Sequence, residues 1–180
     1  MEGTEILALV EYQEKYVPIE TLRKGDLVKT SLDGYKKIEM IGFGNISNPE
    51  HSERIEDRLY KCSTSNYPEL SSDLYITGCH SILTGSLTDD QKEKTIKSLG
   101  KVYVTDEKYR LMAQLDERAE PWASEGVYNI WHFALENENE RFNCGVYANG
   151  GLLVETCSIN FLHLFSFKTP ILYNFFVEII

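Results

Sequence analysis

Positive charge is scarce in this chain and never gathered into a long run: 18 Lys and Arg stand against 28 Asp and Glu, a net charge of -10. Such a surface repels phosphate backbones over most of its extent, so nucleic acid is not an expected partner. Cysteine is scarce too. Cys62, Cys79, Cys144 and Cys157 show no CxxC or other close metal-ligand spacing. No N-terminal apolar stretch resembles a signal peptide, so reduced thiols in a cytoplasmic setting are expected, with no metal and no other cofactor. An uninterrupted apolar run of membrane-spanning length is also missing. The nearest approach, "SINFLHLFSFKTPILYNFFVEII" at 158–180, is broken by Lys168, Pro170 and Glu178, and a membrane span is not expected there.

What is present is enough apolar material for one substantial core: 180 residues, 42% of them hydrophobic. Short runs of β-branched and aromatic residues, bounded by Gly, Asn, Asp and Pro, predict a mainly β chain. The expected strands are "TEILAL", "DLVKT", "YKKIEMIGFGNI", "RLYKC", "DLYIT", "KVYVT", "YNIWHFALE", "CGVYA" and "GLLVET". Asp33-Gly34 and Asn149-Gly150 read as hairpin turns. Two short helices interrupt the pattern: a turn around "PIETLRKGD", and a helix from Asp89 to Leu99. The second has Thr88 as N-cap, Gln91 completing a capping box and Gly100 ending it. The expected division is one domain over 1–160 and an aromatic tail over 161–180, the tail being suited to packing against a partner protein or against the domain's own surface.

"ITGCHSIL" at 76–83 sets a hydroxyl, a thiol and an imidazole within four positions at the end of a strand. Thr77 and His80 are the candidate catalytic pair. Taken alone, TxxH is common, and a His after a strand is most simply a satisfied partner of backbone carbonyls. Cys79 is expected as a buried small apolar residue. His132, within "YNIWHFAL", is expected as a core or half-buried side chain, and His51 and His163 as incidental. A metal site from His80, His132 and Cys79 gains nothing from spacing. Cys157, with Glu155 and a distant His, is a weaker catalytic candidate that follows no hydrolase order. "ENENER" at 136–141 reads as a solvated loop.

Three stretches together resemble the Hint domain, the self-processing module of inteins and Hedgehog proteins. They are "GTEILALVEYQEKYVPIETLRKGDLVKT", "ITGCHSIL" and "VYNIWHFALENENERFNCGVYANGGLLVETC". The resemblance implies a Hint-like horseshoe β fold over residues 3 to about 160. It implies that Thr77 would hydrogen-bond a scissile peptide and His80 protonate the departing nitrogen, after a nucleophile forms a thioester or ester. "LRKGDLVKT", "ITGCHSIL" and "ANGGLLVETCS" are similar in wording to Hint domains encoded by large eukaryotic DNA viruses, which implies a virion or host-cytoplasm setting.

Two departures from the family pattern set the functional expectation. Gly3-Thr4 is preceded only by Met1 and Glu2, neither a nucleophile, and a chain beginning at Met1 is expected to offer no acyl group to a first-step shift. Glu155, Thr156 and Cys157 stand where splicing inteins carry His, Asn and a nucleophile, and Thr cannot cyclise to a succinimide, so splicing is not expected. The segment from Thr88 to Ala123 is too short for a homing endonuclease. The expected function is a Hint-fold module with a vestigial Thr77/His80 pair. It would act as a structural or protein-interaction component, such as a minor capsid protein docked on virion proteins through 158–180. The alternative is a Hedgehog- or intein-type autoprocessing domain that cleaves itself through a thioester, with its nucleophile lost from this chain.

Overall fold

A computed structural model describes residues 1–166. Residues 167–180, which hold most of the expected aromatic tail, lie outside the described residues. In chain order the elements are β1 (Glu5–Val10), β2 (Gln13–Pro18), β3 (Leu27–Lys29), β4 (Tyr35–Asn48), β5 (Leu59–Cys62), β6 (Leu74–Thr77) and β7 (Ser81–Thr84). Then come α1 (Asp89–Leu99), β8 (Val104–Thr105), β9 (Lys108–Met112), β10 (Glu120–Pro121), β11 (Gly126–Leu135), β12 (Gly145–Ala148), β13 (Leu152–Glu155) and α2 (Ile159–Ser166).

The strands form two antiparallel sheets. The larger runs β11-β4-β3-β1-β12-β13-β7-β9-β8, with β2 attached to β1, and the smaller runs β10-β5-β6. Its longest ladder pairs β11 with β4 from Gly126↔Asn48 to Leu135↔Ile38, with a bulge at Ala134/Leu135. Because side chains alternate across a strand, β11 sends Phe133 and Leu135 into the main core, which Ile6, Val28, Ile82 and Val146 also fill. Ala134, on the other face, packs with Met40, Ile159 and Leu162, so α2 closes over that side. The first strand meets a late one at Ile6↔Ala148, which brings the two ends of the domain together.

The mainly β expectation holds, and so does α1. Thr88 Oγ1 accepts from the Gln91 amide, the Gln91 side chain accepts from the Thr88 amide, and Gly100 ends the helix at φ 80°. The turn of helix expected around "PIETLRKGD" is a 3-10 turn at Ile19–Thr21. "KVYVT" supplies only the two residues of β8. The Asp33-Gly34 turn is a wider loop, since the β3–β4 ladder closes at Lys29↔Tyr35. The Asn149-Gly150 turn is where it was expected, and Asn149 does more than turn. Its Oδ1 accepts from the Glu5 amide at 2.7 Å and its Nδ2 donates to the Asp73 carbonyl at 3.0 Å, tying both sheets together.

Candidate functional site

The TxxH turn is built by backbone. β6 ends at Thr77, the His80 amide donates to the Thr77 carbonyl at 3.0 Å, and β7 starts at Ser81. Neighbouring chain holds both flanks: the Gly78 amide donates to the Arg58 carbonyl, and the His80 carbonyl accepts from the Ala113 amide. Gly78 is required by close approach. A Cβ there would lie 2.7 Å from the carbonyl oxygens of Ile55 and Glu56 and 2.8 Å from the Tyr60 ring. The 51–58 loop thus rests directly on the turn.

Cys157 arrives from the far end of the domain. Its amide donates to the Phe133 carbonyl at 3.1 Å, and it forms a parallel bridge with Ala134, a partner that sequence spacing does not reveal. This places its Sγ 3.5 Å from His132 Nδ1. The His132 ring lies 6.2 Å from the His80 ring, centroid to centroid.

Met1 is the third arrival. The Glu2 amide donates to the Asn129 carbonyl, Asn129 Nδ2 donates back to the Glu2 carboxylate, and the Gly3 amide donates to Glu20. So pinned, the Met1 nitrogen sits 3.3 Å from both Thr4 Oγ1 and the Tyr75 carbonyl. Met1, Thr77, His80, His132 and Cys157 all line one small cavity of about 50 Å³. Thr77, His80, His132 and Cys157 also face a larger adjoining cavity of about 510 Å³, whose mouth carries Glu56 and Asp57.

Water reaches the edges of His80, His132 and Cys157, yet dense surrounding protein decides their charge. Desolvation holds His80 down to about 4, and the nearby terminal amine lowers it further, against a hydrogen bond to the Glu155 carbonyl. Desolvation, then His80, holds His132 down to about 3. Burial pushes the Cys157 thiol well above its usual range, and the Met1 amino group down to about 5. The floor at neutral pH is therefore a thiol beside two uncharged imidazoles, because a charged form there forfeits hydration.

The structure joins all three expected site residues, Thr77, His80 and Cys157, in one pocket and adds His132, which the sequence suggested only as half-buried packing. Alternation along β11 offered the signal: Ile130, His132 and Ala134 share the face opposite Phe133. Cys79 overturns its expectation, being exposed rather than buried; it lies within the turn, and its Sγ lies 3.3 Å from Thr77 Oγ1. Glu155 is buried under Arg110, at 2.5 Å, and under the Thr105 hydroxyl, at 2.6 Å. The Thr156 hydroxyl is occupied by the Cys144 amide. Among the described residues no group of three His, Cys, Asp or Glu side chains is arranged to hold a metal ion, and no helix is long and apolar enough to cross a membrane. Compared with protein-family models and with curated proteins, the chain matches none.

Proposed function

We propose that this chain is a Hint-type domain, its strands forming the Hint-like horseshoe, and that its pocket performs an acyl shift. The Cys157 thiol takes an acyl group carried on the Met1 nitrogen. One observation carries the reading: Met1, TxxH, His132 and Cys157 come from four separate segments and meet in one cavity. In this reaction His132 Nδ1 takes the thiol proton as sulfur bonds to the carbonyl carbon. The bond from that carbon to the Met1 nitrogen breaks, and the proton, relayed by His80, ends on the freed amine. Thr77 orients the peptide. The neutral resting pair supports proton transfer within the attack itself, since a standing thiolate–imidazolium pair would be a costly buried charge separation. Splicing is not part of the reading, because Thr156 cannot cyclise.

A reporter joined directly to Met1 tests this. Dithiothreitol or hydroxylamine should release it, with the adduct mass on its C-terminal carbonyl, and Cys157→Ala should abolish release. An intact fusion after days in either reagent removes the reading.

A second reading keeps the expected role as structural or interaction component. It is favoured by exposed Phe142, Phe161 and Leu164, at 61%, 45% and 60%, on or beside the segment that begins at 158. On that reading a partner protein docks through 158–180 and the pocket serves as packing. Truncation at Ser158 should then release the partner while the domain stays folded.

A further inference from the structure

Release of the acyl group from Cys157 leaves the domain with a free Met1 amine, and what that amine can do next rests on the self-processing reading. Its surroundings hold it as a nucleophile. An uncharged amine has two hydrogens, and two acceptors, Thr4 Oγ1 and the Tyr75 carbonyl, stand 3.3 Å from the Met1 nitrogen. The lone pair is left over. Burial holds this amine down to about 5, so at neutral pH the pair carries no proton, whereas ordinary surface lysines are charged.

The two cavities meet at Cys157 and give it different neighbours. The small one, about 50 Å³, joins Cys157 to Met1 and Thr4 and has room for only a few waters. The larger one, about 510 Å³, is of a size that takes a small molecule. Cys157 and His132 belong to its lining, and among the described residues of that lining Met1 and Thr4 are absent. A reagent entering from the larger side therefore meets the thiol before the amine. His132 Nδ1, 3.5 Å from Cys157 Sγ, stands ready to take the thiol proton.

We infer that the released domain acylates its own amino terminus, taking acyl groups from thioesters of small thiols and passing them through Cys157. The Cys157 sulfur attacks the thioester carbonyl carbon and the bond from that carbon to the small thiol breaks. The Cys157 proton, carried by His132, ends on the departing sulfur. The Met1 nitrogen then attacks the same carbon, so that the C–N bond forms and the C–S bond to Cys157 breaks. The proton shed by nitrogen returns through His80 and His132 to the Cys157 sulfur. The products are an amide and two free thiols, with no oxidant or reductant required. Because an amide is more stable than a thioester, this direction is downhill. Cleavage has to be drawn forward by an added thiol; acylation runs unaided.

The full chain with a free Met1 amine, liberated from an N-terminal tag by a site-specific protease, is incubated with S-acetyl-N-acetylcysteamine at neutral pH. Peptide mass spectrometry locates the acetyl group, and hydroxylamine strips it from sulfur but not from nitrogen. Each Met1 rate is divided by the rate with acetic anhydride, which needs no thiol and so corrects for a change in the exposure of the amine. Met1 should be acetylated by way of a transient acetyl group on Cys157. Cys157→Ala should lower the normalised rate by at least roughly a hundredfold, well within what positioning of reacting groups supplies. Cys79→Ala, at the exposed thiol of the same larger cavity, should leave it unchanged. Met1 left unacetylated, acetyl stalled on Cys157, or Met1 labelling that survives Cys157→Ala overturns the inference. Those results leave the forward shift standing wherever dithiothreitol releases the reporter fusion, whereas a fusion that stays intact overturns the shift itself.

Discussion

The floor and the mouth of the larger cavity are built by opposite means. Thr77, His80 and Cys157 are set by main chain, through the β6 turn, the Ala113 amide and the Phe133 carbonyl, and burial keeps the titratable groups beside them neutral. The 51–58 loop, which carries the exposed Glu56 and Asp57 at the mouth, is set by side chains, two arginines clamped on carbonyls. A floor fixed by sheet ladders keeps its geometry when one side chain changes. A mouth fixed by arginines does not, and the two should separate under mutation.

Gly78→Ala attacks a place where both constructions touch. Its Cβ would lie 2.7 Å from two backbone oxygens, neither of which can rotate away. Loss of roughly 3 kcal/mol or more is expected, from overpacking against main chain, measured by urea denaturation. A change under 1 kcal/mol would show that the loop does not rest on the turn. Arg54→Met should cost about 2 kcal/mol by removing a donor to four carbonyls, of which those of Ala113 and Asp116 keep a backbone amide and those of Gln114 and Ala119 turn to water. Here the loss should be local: amide exchange rises through 51–58 while the β6 and β7 amides stay protected. Equal loosening of floor and mouth would collapse the distinction between them.

Much of this architecture was legible in the sequence. Capping residues announced α1, and runs of β-branched and aromatic residues announced β1, β4 and β11, because each signal is local and each element obeys it. The missed hairpins show where local chemistry misleads. β1 turns into β2 through Glu11 and Tyr12, at φ 52° and 63°, and β8 into β9 through Asp106 and Glu107, at 49° and 61°. Both are two-residue turns with both φ positive, normally marked by Asn or Gly; here ladder pairing overrides the residue preference. The site was half legible. TxxH is contiguous, but the meeting of Cys157 with His132 depends on a bridge to Ala134 across more than twenty residues, and the 51–58 loop is tied to the site through the carbonyls that Arg54 reaches some sixty residues away.

Acid should probe the floor together with the Met1 amine beside it, whose value is lowered from 8.0 to about 5 and whose contribution falls with pH in the same direction. His80 and His132 are held down to about 4 and about 3, below the unfolded value of 6.5. Each therefore binds its proton more readily in the unfolded chain, and the stability that they contribute is fully present above pH 6.5. It falls as pH drops toward 4 and 3, by about 1.4 kcal/mol per pH unit for each imidazole. Denaturant midpoints at pH 7, 6 and 5 should decline accordingly, and His80→Gln or His132→Gln should each flatten the decline. A slope untouched by both variants would place the acid sensitivity elsewhere.

The smallest expected effect calibrates the others. Thr88→Ala removes the hydroxyl that accepts from the Gln91 amide at 3.1 Å and so breaks the capping box of α1, an element that lines neither the floor nor the mouth. About 1 kcal/mol should be lost, with fraying confined to the first turn. Because α1 touches β9 and the 3-10 turn at Ala113–Leu115, that fraying reaches the Ala113 amide only through tertiary packing. The acid slope should be unchanged if the β7–β9 ladder, rather than α1, holds His80. A slope altered by Thr88→Ala would mean that the pocket floor borrows its rigidity from a surface helix, and the contrast with the arginine-clamped mouth would no longer stand.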